Sequence, residues 1–381
     1  MKRTFLLLYL DTGGGHKAPA AVLRSALLEQ YPDASVELFN GFSPYNYPYH
    51  LMVERGYHTA CNYAPGAFSL LYEVARFRPV QKIFDKNFKL VAIPYLKREF
   101  KRRGVTDVVS FHFFLNPGAL KAIRLLGGTI RFSCVVTDPF TAPPVWFYEH
   151  GIRYYVYTEQ VKQTAVSCGV PEENIEICPF LINKKFTVES SAQDAAAYRQ
   201  KHGLPIHKRI LLLAGGGEGL PGAIKLAAYY VKHAYDFAVA IVCGRDKYSK
   251  HCLELLKAAN PQADLHIFGF VNFMDELIKS CDCAVIKAGA ATLIEVLKTK
   301  KPVIICSYIH GQELGNVQFI INNDIGWFIQ KPEQIYKKAE HLFSDPAYYE
   351  SVRTKLDTLN LNTDASALAR RIWEAGAPAN T

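Results

Sequence analysis

Strand-like apolar runs recur along the chain, and between them apolar residues return every three or four positions, the spacing of one helix face. In the first half the runs are Thr4–Leu10, Ser35–Phe39, Asp107–Phe111, Phe132–Thr137 and Tyr154–Thr158. In the second they are Arg209–Ala214, Ala238–Cys243, Leu265–Phe268, Cys283–Lys287 and Pro302–Cys306. Such alternation indicates β-α units and parallel sheets, so the pattern predicts an α/β chain of two doubly wound domains. The first should span 1–183 and the second 207–355, joined by 184–206, a linker with one short helix. Residues 356–381 should form a last helix, about Asp364–Ala375, that packs back on the first domain. Open parallel sheets bind ligands beyond the carboxyl ends of their strands, so the loops after strands are where chemistry is expected.

Composition narrows the class. With 49% hydrophobic and 21% charged residues, the 381-residue chain is able to bury substantial cores. Its longest apolar runs fall far short of the roughly 20 residues that span a bilayer. Lys2 and Arg3 before Phe5–Leu10 imitate a signal peptide, but Asp11 ends the apolar stretch too early for one. Nine scattered cysteines form no C-x-x-C pair and read as reduced structural thiols, so the chain is expected in the cytoplasm. The net charge of +9 is concentrated between Arg76 and Arg103, where ten Lys or Arg meet two acids. Aromatics crowd the approach to this segment, from Phe42 through Tyr45, Tyr47 and Tyr49 to Tyr72. Cations beside amphipathic rings suit an anionic membrane surface, with a solvated helix face as the plainer alternative; no nucleic-acid-reading motif accompanies them.

Two loops after strands match a dinucleotide fingerprint, Gly13-x-Gly15-x-x-Ala18 and Gly217-x-Gly219-x-x-Gly222. Neither is followed by an acidic residue at the end of the next strand, which closes at Phe39-Asn40 in one case and Cys243-Gly244-Arg245 in the other. A nicotinamide enzyme is therefore not expected. AGGGEG (Ala214–Gly219) still suits an anion, because glycines admit a phosphate and the following helix offers free N–H groups. KAGAATLIEVL (Lys287–Leu297) repeats the arrangement with Gly289 and Thr292, so two helix starts are placed to grip a diphosphate, with Glu295 one turn on to accept ribose hydroxyls. HGQELGN (His310–Asn316) crowds Gln312, Glu313 and Asn316 where sugar hydroxyls would be read. The first loop, DTGGGH, is either a phosphate cradle or the carrier of a base, His16.

Taken in order, DTGGGHKAPA, VVTDPF with PPVWF, AGGGEG, FGFVNFMDEL, CDCAVIKAGAATLIEVL and YIHGQELGN resemble the monogalactosyldiacylglycerol synthases and the bacterial processive diacylglycerol glucosyltransferases. More distantly they resemble the N-acetylglucosaminyltransferase that completes lipid II. The resemblance runs from about residue 4 to 330. It implies a GT-B fold, two Rossmann-like domains facing an interdomain cleft, and inverting transfer of galactose or glucose from UDP-galactose or UDP-glucose to diacylglycerol. The expected enzyme is a peripheral one on the inner face of the membrane. On that reading His16 is the base, and Asp138 orients His16 or the acceptor, or caps the turn before Pro139. The donor site draws on Gly216, Gly217, Glu218, Arg245, Phe270, Val271, Gly289, Ala290, Thr292, Glu295, Gln312, Glu313 and Asn316. Gly14, Gly15, Trp146 and the cations Lys97, Arg98, Lys101, Arg102 and Arg103 fall to the acceptor and membrane side. No D-x-D motif occurs, so no metal or other cofactor is expected and the helix starts take the diphosphate charge. Three departures stand out: Gly289-Ala290-Ala291-Thr292 for the plant Gly-Pro-Gly-Thr, Leu314 for a second glutamate, and Pro179-Phe180-Leu181 for Gly-x-Pro. The competing readings are a polyprenyl-linked or soluble acceptor, and a UDP-sugar epimerase.

Overall fold

The computed structural model describes residues 3–11, 14–42, 92–233, 235–309 and 312–375. They divide into two units, one drawn from Met1–Ile182, Ile309–Gln312 and Asn362–Thr381, the other from Asn183–Tyr308 and Glu313–Leu361. The expected aromatic crowd from Tyr45 to Tyr72 and the cations from Arg76 to Lys89 lie outside the described residues.

Among the described residues the first unit holds six parallel strands: β1 Thr4–Tyr9, β2 Ser35–Asn40, β3 Asp107–Ser110, β4 Arg131–Val135, β5 Arg153–Val156 and β6 Ile175–Ile177. Their order in the sheet is β2-β1-β3-β4-β5-β6. Phe5 to Leu8 have no exposed surface, as a parallel strand covered on both faces requires. Leu6, Leu8 and Leu10 pack with Leu96 and Phe100 of the helical stretch 92–103. Phe5 points to the opposite face, where its ring stacks on Trp373 at 5.7 Å.

Trp373 belongs to the last helix, Ala365–Glu374, whose Asp364 side chain caps it by accepting from Ser366 N. Its indole also lies flat on Tyr31 at 3.8 Å, and the Arg3 guanidinium sits 4.4 Å from its centroid. Arg3 in turn pairs with Asp107 Oδ1 at 2.6 Å and donates to the Trp373 carbonyl. One indole thus joins the sheet to α1 (Gly14–Gln30) and to the chain's final helix. Trp373→Ala should cost about 3 kcal/mol of first-unit stability, the scale of removing a packed indole. A urea midpoint equal to that of the unaltered chain would show that this helix is anchored elsewhere.

The second unit repeats the design with β7 Ile210–Ala214, β8 Ala238–Val242, β9 Leu265–Phe268, β10 Cys283–Lys287, β11 Val303–Ser307 and β12 Gly326–Phe328, in the order β12-β11-β10-β7-β8-β9. The stretch 184–206 is built into this unit. Ser191 opens helix Ala192–Lys201 with a capping box, and Arg199 and Arg209 both clamp Asp282, at 2.9 and 2.8 Å. The described chain order reverses between β1 and β3 in the first sheet and between β7 and β10 in the second. The loops that leave those four strands flank the crevices where such sheets bind ligands.

Candidate functional site

Among the described residues, the crevice of the first unit holds two imidazoles. His16 enters with the first turn of α1, His112 with the loop after β3, and their ring centroids lie 4.5 Å apart. His16 is buried, 7% exposed. Its Nδ1 stands 2.9 Å from the Phe111 carbonyl oxygen and 2.8 Å from Thr137 Oγ1. A carbonyl can only accept, so Nδ1 carries the hydrogen and Nε2 keeps its lone pair. Burial pulls the His16 pKa down to about 4 against the opposing pull of the Phe111 carbonyl, leaving a neutral ring at pH 7 with a fixed acceptor nitrogen. Positions 14 and 15 have open space where a Cβ would stand among the described residues, and neither has a positive φ. The glycines beside His16 are thus not demanded by local packing and leave room for a ligand.

Asp138 follows Thr137, and its Oδ2 accepts from the Trp146 indole at 2.7 Å. Of the roles open to it in the sequence, the geometry adds a fourth, holding the indole in place. Trp146, on the short helix Pro144–Phe147, is 1% exposed and packs edge-on to Phe113 at 5.2 Å. Its ring is 6.2 Å from His16, so it walls the imidazoles from within and presents no face at the surface. Gln312 is grouped with this unit, and its Nε2 donates to Asp138 Oδ1 at 3.4 Å.

The cations on 92–103 divide. Lys97, Arg98, Lys101 and Arg102 are exposed, whereas Arg103 is half-buried against Glu37 and Glu99. Buried Glu99 also takes Arg102 at 2.7 Å and Arg98 at 3.4 Å, and the Arg102 hydrogen bond holds its carboxyl below the usual range. Part of the expected positive surface is therefore neutralised within its own helix.

In the second unit the glycine turns after β7 and β10 face each other. A Cβ on Gly216 (φ +81°) would come within 3.9 Å of Thr292 Oγ1. Behind it, Gly244 (φ +58°) closes on the same turn so tightly that a Cβ would lie 2.3 Å from the Gly217 oxygen, and Arg245 N donates to that oxygen at 2.8 Å. The pairing of β10 with β11 slips between Ile286 and Lys287, skipping Cys306 of β11, just before the chain reaches Gly289. Gly289 then starts helix Ala290–Lys298 without any side-chain cap, which leaves the first N–H groups, including those of Ala290 and Thr292, aimed at the crevice. Arg245 pairs with Glu218 at 3.1 Å and lies 5.0 Å over the ring of Phe270, itself 61% exposed; Val271 beside it is half-buried.

Glu295, one turn along the same helix from Thr292, is half-buried, and desolvation reinforced by Asp275 lifts its pKa to about 8. Glu313 is buried and meets Lys287 Nζ at 3.5 Å, near the position a Gly289 side chain would take. Asn316 spends its amide hydrogen on the Ala288 carbonyl at 2.6 Å, so it braces the β10 turn. His112, Thr137 and Lys287 escape a sequence reading. A signal exists for the first, as a lone imidazole between phenylalanines directly after a strand end.

Comparison with known proteins covers both units. Residues 16–180 match the family model for monogalactosyldiacylglycerol (MGDG) synthase and residues 216–366 that for the glycosyltransferase family 28 C-terminal domain. The chloroplastic monogalactosyldiacylglycerol synthase of Spinacia oleracea is 28% identical over 361 residues, covering 90% of this chain and 66% of that protein. The processive diacylglycerol beta-glucosyltransferase of Bacillus licheniformis is 28% identical over 251 residues, 66% of this chain and 64% of its own. The chain thus spans just under two thirds of the length of these relatives. Among solved structures, Acinetobacter baumannii MurG has a TM-score of 0.61 at 16% identity, over 98% of this chain and 100% of its own. The UDP-GlcNAc 2-epimerase of Neisseria meningitidis, bound to UDP-GlcNAc, has 0.62 at 11%, over 98% and 99%. At such identities they testify to the fold alone. With a synthase-type first half joined to a family 28 second half on two parallel six-stranded sheets, the chain has the GT-B fold and resembles the monogalactosyldiacylglycerol synthases and diacylglycerol glucosyltransferases.

Proposed function

We propose that the protein transfers a hexose, galactose or glucose, from a UDP-sugar to the free hydroxyl of 1,2-diacylglycerol, with inversion, to give a β-glycosyl diacylglycerol. The observation that carries this reading is His16, a neutral imidazole with an unprotonated Nε2 at a ligand crevice. The hydroxyl proton passes to that nitrogen as the oxygen forms its bond to the anomeric carbon. The bond from that carbon to the diphosphate breaks, and UDP departs with the electron pair. The donor belongs in the second unit, its diphosphate at the Gly216–Gly217 turn and the uncapped start of helix Ala290–Lys298, its base beside Phe270 and its ribose on Glu295. The names of the Spinacia and Bacillus relatives, both of which contain diacylglycerol, support the acceptor.

Helix-terminal N–H groups offer fixed positive ends to the leaving diphosphate, so the chemistry is proposed to run without a metal ion. Turnover should stay within about twofold after dialysis against EDTA, since no step is assigned to a cation. A rate that collapses and returns with added magnesium would refute this. Among the described residues no helix is long and apolar enough to cross a membrane, and the exposed cations Lys97, Arg98, Lys101 and Arg102 suit attachment to anionic lipid.

The deciding experiment is mass spectrometry of lipids after incubation with a panel of UDP-sugars and diacylglycerol vesicles, with and without anionic lipid. A monohexosyl diacylglycerol, formed faster on anionic vesicles, is expected. Conversion of the donor sugar without acceptor would identify an epimerase, and glycosylation of a polyprenyl-linked or soluble alcohol alone would change the acceptor class.

A further inference from the structure

We infer that His112 is a second acceptor-binding residue, donating a hydrogen bond from Nε2 to the hydroxyl whose proton His16 takes. The inference rests on the reading that the first-unit crevice receives an alcohol, and it follows from the tautomers of the two rings.

His112 stands at the N-terminus of the short helix Phe113–Leu115, where its Nδ1 accepts from Phe114 N at 3.3 Å. A ring nitrogen that accepts carries no hydrogen, so in the neutral ring the hydrogen is on Nε2. Burial to 6% exposure, with His16 as neighbour, holds the His112 pKa well below the ordinary histidine value, so the ring is neutral across the working range. His16 has the opposite tautomer, because its Nδ1–H is fixed by the Phe111 carbonyl. Two neutral imidazoles 4.5 Å apart therefore present one acceptor nitrogen and one donor N–H. Neither group has a protein partner among the described residues: the hydrogen bonds of both rings are made through Nδ1.

A donor and an acceptor side by side, neither bonded within the described residues, can both be satisfied by one group. The simplest group that does so is a hydroxyl, which donates to one and accepts from the other. The acceptor alcohol takes that role. His112 occupies one lone pair of the oxygen and fixes its direction, leaving another lone pair for attack while His16 receives the proton. The aromatic walls, Phe113 at 4.8 Å and Trp146 at 6.4 Å from His112, limit how far the ring can tilt. Phe111, next to it in sequence, holds His16 through its backbone, so one loop sets both rings.

The test pairs His112→Phe, which fills the space without a donor, with His112→Gln, which keeps an N–H donor. kcat/KM for diacylglycerol is measured at saturating UDP-sugar. Loss of one oriented donor should lower it about 100-fold in His112→Phe, with the donor KM unchanged, and His112→Gln should recover to within about tenfold of the parent. A His112→Phe variant within about threefold of the parent overturns the inference, as does a Gln variant no better than Phe, since both results reduce His112 to packing. An activity-independent arm uses the full unaltered chain labelled with 15N histidine. The His112 signal, identified by its absence in His112→Gln, should report hydrogen on Nε2; hydrogen on Nδ1 overturns the inference even if the Phe variant does not fold. Absence of any glycosylated lipid from the parent chain refutes the proposed function instead, and the 15N result still decides the fate of His112.

Discussion

His16→Ala should lower kcat about 1000-fold, the middle of the range for losing a positioned general base, while UDP binds as tightly as before. The split follows from where the groups sit. His16 lies in the first unit, and every group proposed for the diphosphate, ribose and base lies in the second. The pH profile supplies an independent check. The buried His16 protonates only near pH 4, so kcat/KM for the acceptor, taken at saturating donor, should rise through about pH 4 and be flat well before 6.5, where an exposed histidine titrates. Stability carries the same signature. The folded pKa lies below the unfolded value, so the folded chain binds fewer protons between pH 4 and 6.5, and stability is lost as pH falls through that window. His16→Ala should flatten this slope. The Ala variant keeping more than a tenth of parental turnover, or an acid limb near 6.5, would remove His16 as the base.

The strands and glycine turns were legible because each depends on neighbours in sequence. Ile210–Ala214 and Ala238–Val242 are apolar throughout, as covered parallel strands must be. The edge strands β6 and β12, IEI and GWF, are three residues each and too short to show a period. The candidate site was readable where a residue type narrows the possible uses, as with the glycine turns and His16. It was hidden where use depends on a distant partner. His112 is 96 positions from His16 and reads as a core histidine until the pairing of Phe5 with Asp107 and Leu8 with Ser110 brings the two loops together. Trp146 is polar at one atom only, so no local pattern says whether it faces lipid or Asp138; its buried hydrogen bond decides. Gly244 goes unremarked in sequence because its constraint, the oxygen of Gly217, comes from another loop.

Donor affinity should rise with pH up to about 8, because Glu295 must give up a proton to serve as a ribose acceptor. Two hydroxyls that donate to one carboxyl favour its ionised form, yet desolvation and Asp275 favour the protonated form in the empty site. Binding at neutral pH therefore releases a proton, and the association constant for UDP should grow up to about tenfold per pH unit below 8, then level off. Calorimetry in two buffers of different ionisation enthalpy reads the proton directly. Glu295→Gln should bind UDP roughly 10- to 100-fold more weakly at pH 8, the scale of losing hydrogen bonds to a charged group, and with no pH slope. The empty protein carries the converse effect. A carboxyl that ionises near 4.5 when unfolded and near 8 when folded makes the second unit progressively less stable as pH climbs between those values. Glu295→Gln abolishes that decline, so the variant should be the more stable protein at pH 8 without ligand and the less stable one with saturating UDP. Such a crossover distinguishes a carboxyl held in readiness for a ligand from one that is merely buried. UDP affinity that is flat from pH 6 to 8 in the parent, or equal stability rankings with and without UDP, would show that Glu295 does not meet the nucleotide.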